Sequence, residues 1–151
     1  MNTTVVIRKA TASDLEELVN LLELLFSIEE DFTFNATKHR RGLAMMLTDP
    51  DTRCVVVAEV DKNIVGMCSV QTVVSSAEGG RSAWVEDVVI QQPFQGQGIG
   101  KKLLSFVEEW CANQGIERIQ LLADQNNKPA LEFYKKLNWQ LTQLICLRKF
   151  I

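Results

Sequence analysis

The chain has 151 residues, a length typical of a single domain, and we treat residues 1–151 as one domain. Its 46% hydrophobic and 23% charged residues match the averages of folded globular proteins, which excludes a disordered or collagen-like chain. The net charge of −3 argues against a nucleic-acid partner, because such domains usually present a basic surface. It leaves room for an acidic cleft that binds a cation.

The cysteines and the histidine are too scattered to form a metal site. Zinc sites need closely spaced ligand pairs, so we predict no metal cofactor. We expect reduced and mostly buried thiols rather than a redox or disulfide role. The residues concerned are Cys54, Cys68, Cys111, Cys146 and His39.

No segment has the length of a signal peptide core or a membrane span. The most apolar run, residues 18–26, is interrupted by Asn20 and Glu23, and a bilayer needs about 20 apolar residues. We therefore expect a cytoplasmic protein with no membrane partner.

The first half of the chain predicts four strands and two helices. A capping box at Ser13-x-x-Glu16, followed by apolar residues at helical spacing, predicts the first helix. The acidic and aromatic residues 28–35 predict a loop before a second helix over residues 36–47. β-Branched runs bounded by turn residues predict strands at 3–8, 53–60, 63–74 and 82–90.

In the second half, the period-two pattern gives way to a helical one. A helix is predicted over residues 98–113, with Gly115 as its stop. A strand at 117–123, a helix at 129–137 and one or two strands within 139–150 complete the order β-α-α-β-β-β-α-β-α-β(-β). This alternation predicts a mixed α/β sheet with a parallel strand pair across the helix at 98–113.

The most informative segment lies between a strand and a helix and reads Gln95-Gly96-Gln97-Gly98-Ile99-Gly100. Glycines allow a positive φ and a close ligand approach, and the helix that follows offers free amides to an anion such as phosphate. The spacing fits neither a Walker A loop nor the dinucleotide motif GxGxxG. A glycine-rich turn without a ligand is the alternative interpretation.

Two motifs in the expected order carry a resemblance to a known family. The segment Gln95-x-x-Gly98-x-Gly100 resembles the acetyl-CoA loop of the GNAT superfamily of N-acetyltransferases. Asn127-x-x-Ala130-x-x-Phe133-Tyr134, about thirty residues later, resembles its second signature, and residues 7–14 are similar to its usual opening. The resemblance covers residues 5–139. It implies a mostly antiparallel sheet with a splayed parallel strand pair and about four helices.

The resemblance also implies that acetyl-CoA is the co-substrate and indicates which residues bind it. Main-chain groups of Val88, Val89 and Ile90 would pair with the pantetheine arm. Asn127 would contact the cofactor or cap its helix, as Asn126 beside it also could. The pyrophosphate would be held by the loop residues Gln95, Gly96, Gln97, Gly98, Ile99, Gly100 and Lys101.

Many members of the superfamily have arginine at the position of Gln95. The exchange removes a fixed positive charge. Backbone amides and Lys101 or Lys102 would then contribute more to pyrophosphate binding.

The resemblance implies a general acid and a general base. Tyr134 would donate a proton to the departing CoA thiolate, and an ordinary tyrosine pKa near 10 keeps it protonated at neutral pH. Packing in a helix interface is the alternative role for this ring. Glu86 matches the position of the base in several members, while a structural carboxylate, or Asp87 as the base, are the alternatives. Strand alternation predicts that Glu86 and Asp87 point to opposite faces.

The acceptor is expected to bind near the loop between the first two helices, which holds Glu29, Glu30 and Asp31 beside Phe32 and Phe34. Carboxylates and aromatic rings suit a cationic amine, and a solvated acidic helix end is the alternative.

The expected function is therefore direct transfer of acetyl from acetyl-CoA to a primary amine of a small molecule or peptide. A non-catalytic acyl-CoA-binding or sensing domain, and a peptide or protein N-acetyltransferase, are the competing interpretations. A homodimer is common in the family and is expected as a possibility here.

Overall fold

The structure, a computed structural model, describes residues 4–151. They divide into two compact units, with the boundary along the chain between Gln120 and Leu121. The strands are β1 (Val5–Lys9), β2 (Arg53–Val60), β3 (Asn63–Ser75), β4 (Gly80–Ile90) and β5 (Ile119–Leu121). The helices are α1 (Leu15–Ile28), α2 (Ala36–Met46), α3 (Ile99–Ala112) and α4 (Lys128–Lys136).

The five strands form one sheet in the order β1-β2-β3-β4-β5. The first four strands pair antiparallel with their sequence neighbours, and β5 lies parallel to β4 at the end of the sheet. The predicted fold class is therefore confirmed: a mixed α/β fold with a mostly antiparallel sheet and, among residues 4–151, four α-helices.

The predicted β2–β3 hairpin is formed by a tight two-residue turn. Asp61 and Lys62 have φ values of 49° and 66°, and Val60 pairs with Asn63 across the turn. Two successive positive φ values match the twist of a hairpin, and short polar residues adopt them more readily than branched ones. The local sequence is therefore enough to set the register of this hairpin.

Helices pack on both faces of the sheet in the first unit. On one face, apolar residues of α1 and α2 form a buried cluster together with alternate residues of the strands. The strand residues of this cluster include Val55, Val57, Met67 and Val89. On the other face, α3 packs against β2, β3 and β4, and its Leu103 is fully buried. A sheet covered on both faces explains why β2 and β3 are almost continuously apolar.

The start of α1 differs from the prediction. A capping arrangement forms two residues earlier than expected: the Asp14 carboxylate accepts a hydrogen bond from Thr11 N at 2.8 Å. Glu16 instead pairs with Arg40, at 2.6 Å from its Nε. The spacing Thr11-x-x-Asp14 equals that of the predicted Ser13-x-x-Glu16, so the sequence pattern alone does not distinguish them.

The strands expected within residues 139–150 are not formed in the described structure, and this prediction is wrong. The segment follows α4 as an irregular chain, with Leu141 91% exposed and Leu147 87% exposed. Its alternating sequence suits a strand, but a strand also needs a neighbouring edge to satisfy its main-chain groups.

The four cysteines are free and mostly buried, as predicted. Cys54, Cys68 and Cys111 are buried, and Cys146 is exposed. Burial raises the pKa of the Cys111 thiol to about 11, so it stays protonated. None of the described helices is both long and apolar enough to cross a bilayer.

Candidate functional site

The central feature of the candidate site is a bulge near the end of β4. Across the β3–β4 ladder Met67 pairs with Val89, and Ser69 pairs with Glu86, so β4 has one more residue than β3 between these pairs. Asp87 lies in this interval with a φ of 55°, in the left-handed region. A bulge of this kind bends the strand and redirects the side chains around it.

The last residues of β4 extend beyond the end of β5. The two strands meet where Ala83 N donates to the Arg118 carbonyl oxygen at 3.0 Å, and β5 ends three residues later, at Leu121. Residues 88–90, at the other end of β4, are therefore not accompanied by β5. At this end of β4 the Ile90 carbonyl oxygen accepts a hydrogen bond from Gln95 Nε2.

β4 leads through a short 3-10 turn into the glycine loop and α3. Gly96 and Gly98 have φ values of 75° and 81°, and Gly98 is the N-cap of α3. A Cβ atom at either glycine would have open space, so the requirement for glycine is its backbone conformation. Ile99 and Gly100 are buried in the first turn of α3, where helix amides have no acceptor within the helix.

The side chains of this loop mostly fix its shape. Gln95 Nε2 donates to the Ile90 carbonyl oxygen at 2.9 Å, and Gln97 Nε2 donates to that of Pro93 at 3.1 Å. Lys101 is exposed in the first turn of α3. The loop therefore combines an amide-lined helix end with a nearby cation, which suits a phosphate group.

The two candidate carboxylates differ in environment. Glu86 is exposed, whereas Asp87 is half-buried. Burial, reinforced by the charge of Glu86, raises the pKa of Asp87 from 3.8 to about 6, while the hydrogen bond from Ser69 acts in the opposite direction. Asp87 is thus a carboxyl group that changes charge close to neutral pH.

That Glu86 and Asp87 point to opposite faces stays a prediction, because the bulge lies at these two residues. Ser69 pairs with Glu86 in the ladder, and its hydroxyl lies 3.3 Å from Asp87 Oδ2. Both acidic residues therefore lie next to the same residue of β3. The left-handed Asp87 interrupts the regular pleat of the strand at this point.

Ser69 was missed as a site residue by sequence reasoning. It is a serine within the apolar run of β3, and it is 3% exposed. A buried polar residue in such a run generally has a hydrogen-bond partner, and this was the signal available in the sequence.

The loop between α1 and α2 holds the acidic residues predicted to contact the acceptor. Glu29 ends α1, Glu30 and Asp31 are exposed, and the ring of Phe32 packs 5.4 Å from that of Phe26. The prediction that these carboxylates bind substrate stays a prediction.

An aromatic cluster lies beside this loop. The His39 ring is 4.9 Å from the ring of Phe26 and 5.4 Å from that of Phe34. The His39 Nε2 atom is buried and has no hydrogen-bond partner among residues 4–151. The rings form an apolar wall next to a set of negative charges.

The second unit contains the other two candidate residues. Asn127 Oδ1 accepts a hydrogen bond from Ala130 N at 3.2 Å, so the side chain caps α4. The ring of Tyr134 is half-buried on α4 and lies 5.9 Å from that of Trp139. The helix-cap alternative for Asn127 is thus realised, while its contact with a cofactor stays a prediction.

An open groove of about 440 Å³ lies beside the entrance to the glycine loop. None of the residues that line it is among the catalytic, cofactor-binding or substrate residues predicted from the sequence. Its lining includes Glu17, Asn20, Asp61, Asn63, Gln91 and Phe94. Among the described residues, no cluster of three or more metal-binding side chains occurs.

Comparison with known proteins identifies the family. The model of the acetyltransferase (GNAT) family matches residues 15–139. The chain belongs to the GNAT acetyltransferase family. The matched residues include those of the β4 bulge, the glycine loop and α4.

One curated relative and two solved structures are similar over most of this chain. An uncharacterized N-acetyltransferase of Methanocaldococcus jannaschii is 25% identical over 143 residues, 94% of this chain and 63% of the relative's length. A transcriptional regulator from Bacillus halodurans has a TM-score of 0.85 at 27% identity, with 97% of this chain and 100% of that chain covered. An aminoglycoside N-acetyltransferase in complex with CoA shares the fold, with a TM-score of 0.83 at 16% identity and coverage of 99% and 97%.

Proposed function

We propose that this GNAT protein transfers the acetyl group of acetyl-CoA directly to a primary amine. The observation that carries the proposal is the junction of β4 and α3. There a strand edge not accompanied by β5, at residues 88–90, continues into a left-handed glycine loop and an amide-lined helix end. An extended amide chain that ends in a pyrophosphate, as in CoA, matches both parts of this surface.

Each part of the proposed cofactor site has a physical role. Main-chain groups of Val88, Val89 and Ile90 pair with the pantetheine arm. Amides from Gly96 to Lys101 hold the pyrophosphate, with the positive end of the α3 dipole behind them. Because the Gln95 side chain is bonded to the main chain, Lys101 and the amides supply the favourable charge.

The proposed reaction is a nucleophilic substitution at the thioester carbonyl. The amine nitrogen forms a bond to the carbonyl carbon, and the carbon–sulfur bond breaks. A cationic amine first gives its ammonium proton to Glu86 and attacks in its neutral form. As the carbon–sulfur bond breaks, Tyr134 gives a proton to the CoA thiolate, and the second proton lost by the nitrogen returns to Tyr134 through solvent. Main-chain amides at the end of β4 stabilise the oxyanion that develops between these steps.

The acceptor is proposed to be a cationic amine. The α1–α2 loop places Glu29, Glu30 and Asp31 beside an aromatic cluster around Phe26 and His39. Such a surface attracts a positive amine and stacks against its alkyl or ring portion. Small-molecule amines are expected to be better acceptors than a peptide. A rate of acetyl transfer that falls as the salt concentration rises would support this expectation, because salt screens the attraction between charges.

The first test is calorimetric titration with acetyl-CoA, with desulfo-CoA as a second ligand and ATP as the control. Binding of both CoA ligands in the micromolar range, without binding of ATP, supports the cofactor site. Binding of ATP alone, or of none of them, overturns it. A panel of amines and peptides with mass detection of the acetylated product then tests the transfer itself.

A non-catalytic acyl-CoA-binding role is the second candidate, and one similarity favours it. The Bacillus halodurans protein with a TM-score of 0.85 is described as a transcriptional regulator. A regulator needs the cofactor site but neither Tyr134 nor Glu86. If Y134F and E86Q left the measured function unchanged, the binding role would be correct.

A further inference from the structure

Ser69 is positioned to act on the site although it lies inside the sheet. Its hydroxyl is 3.3 Å from Asp87 Oδ2 and 3.2 Å from the Glu86 carbonyl oxygen. A hydroxyl has one proton to donate, so it can serve one of these acceptors at a time. Which acceptor it serves depends on whether Asp87 is charged, because a carboxylate is the stronger acceptor.

The backbone directs the Asp87 carboxylate toward β3. Asp87 has a φ of 55° at the point where β4 has an additional residue. Aspartate adopts the left-handed conformation more readily than most residues, so the bulge is compatible with this side chain. The result is an acidic group at the bulge of β4, held by a buried partner on the adjacent strand.

Building on the proposed function, we propose that Ser69 is a positioning residue that holds the Asp87 carboxylate at the bulge, and that the charge of Asp87 sets the lower pH limit of acetyl transfer. The ionised carboxylate attracts the cationic amine and helps Glu86 to remove its proton. The protonated, neutral acid does neither, so transfer declines as Asp87 becomes protonated.

The titratable groups nearest Asp87 along the sheet lie on β4 and β3. On β4, Glu86 contributes a negative charge that raises the pKa of Asp87, and burial raises it further. On β3, the neighbouring titratable group is the Cys68 thiol, whose own pKa is raised by burial, so it stays neutral.

The charged residues of the packed helices are exposed or paired. On α1, Glu17 accepts a hydrogen bond from Ile64 N at 2.8 Å, Glu16 pairs with Arg40, and Glu23 is exposed. On α3, the charged residues Lys101, Lys102, Glu108 and Glu109 are all exposed. Glu86 and Ser69 are therefore the groups expected to tune Asp87.

The experiment compares the pH dependence of kcat/KM in serine variants, with any amine that the acceptor panel identifies. Ser69→Ala removes the hydrogen bond to the ionised Asp87 carboxylate. It is expected to shift the midpoint of the acidic limb of the pH profile upward by roughly one pH unit. Ser69→Thr keeps the hydroxyl and is expected to restore the wild-type limb. Ser82→Ala removes another buried serine of the sheet, near Arg118, and is expected to leave the limb in place.

Two further variants identify the titrating group. Asp87→Asn tolerates the left-handed backbone and is expected to remove the acidic limb. Glu86→Gln removes a repelling charge and is expected to move the limb downward, although the rate falls. An acidic limb that disappears in E86Q but persists in D87N would assign it to Glu86 and overturn the proposal.

A carbon NMR titration of the carboxyl groups makes the test independent of catalysis. The resonance lost in D87N identifies Asp87, and its midpoint is expected near pH 6 and to rise in S69A. If no amine is acetylated, the proposed transfer fails while this titration still tests the pair. An Asp87 midpoint that is unchanged in S69A overturns the positioning role.

Discussion

Gln95 and Ile90 are joined by a hydrogen bond of 2.9 Å, from the side-chain amide of the loop to the last carbonyl of β4. The bond ties the start of the glycine loop to the strand proposed to bind pantetheine. Where many family members have a charged arginine, this chain therefore has a side chain that fixes loop geometry. The orientation of the helix amides depends on that geometry.

The first prediction concerns this bond. We expect Gln95→Ala to weaken acetyl-CoA binding about fivefold, because a neutral hydrogen bond is worth about 1 kcal/mol. Gln95→Arg is expected to weaken binding as well, because the longer side chain does not keep the geometry of the hydrogen bond to the Ile90 carbonyl oxygen. Calorimetric titration checks both, and tighter binding by Q95R would show that the side chain faces the phosphate.

The second prediction concerns Gly98, the left-handed N-cap of α3. We expect Gly98→Ala to lower the free energy of unfolding by about 1 kcal/mol and to weaken acetyl-CoA binding, because alanine is strained at a φ of 81°. Gly98→Asn is the matched variant, since asparagine tolerates this conformation. Because a Cβ has open space at this position, equal losses in both variants would contradict the backbone explanation.

The third prediction concerns Tyr134. Tyr134→Phe keeps the ring contact with Trp139 but removes the proposed proton donor. We expect kcat to fall roughly 100-fold while the KM for acetyl-CoA changes less than about twofold. Steady-state kinetics measure both constants, and thermal unfolding verifies the fold. An unchanged kcat would leave Tyr134 a packing residue.

The fourth prediction concerns acid stability. Arg8 binds both carboxylate oxygens of the buried Asp14, at 2.8 and 3.0 Å, and this hydrogen bonding lowers the pKa of Asp14 below its usual 3.8. A lowered pKa in the folded state contributes stability above about pH 4, and this contribution is lost as the pH falls through the folded-state pKa.

We therefore expect Asp14→Asn to lower the free energy of unfolding by about 2 kcal/mol at pH 7, with a smaller loss at pH 3. Urea unfolding at the two pH values measures this difference. Glu16→Gln disrupts the exposed pair with Arg40 and is expected to change stability little. Equal losses at both pH values in D14N would contradict the electrostatic explanation.

The fifth prediction concerns Asp87, whose charge is expected to lower the free energy of unfolding rather than raise it. The pKa of Asp87 is raised to about 6, so the folded state holds a proton that the unfolded chain has released between about pH 4 and pH 6. Asp87 therefore costs stability at neutral pH. We expect Asp87→Asn to raise the free energy of unfolding by about 2 kcal/mol at pH 8 and to change it little at pH 4. A destabilised D87N at pH 8 would show that the bulge needs the charge.

The sequence by itself determined the features that depend on local interactions. The hairpin at Asp61 and Lys62, the left-handed Gly98 and the Asn127 cap each involve residues within four positions of one another. Local conformational preferences act over that range, so patterns in the printed sequence predict such features. The fold class, predicted from the alternation of strands and helices and from the family resemblance, was confirmed, while ligand binding by the glycine loop stays a prediction.

Only the tertiary structure decided which distant residues meet. Ser69 contacts Asp87 from the adjacent strand, and His39 contacts Phe26 from another helix. The β4 strand has a single additional residue at its bulge, and no local pattern marks where that residue is accommodated. The alternating residues 139–150 failed as strands for a related reason, because β structure depends on a neighbouring edge as well as on the pattern of the chain itself.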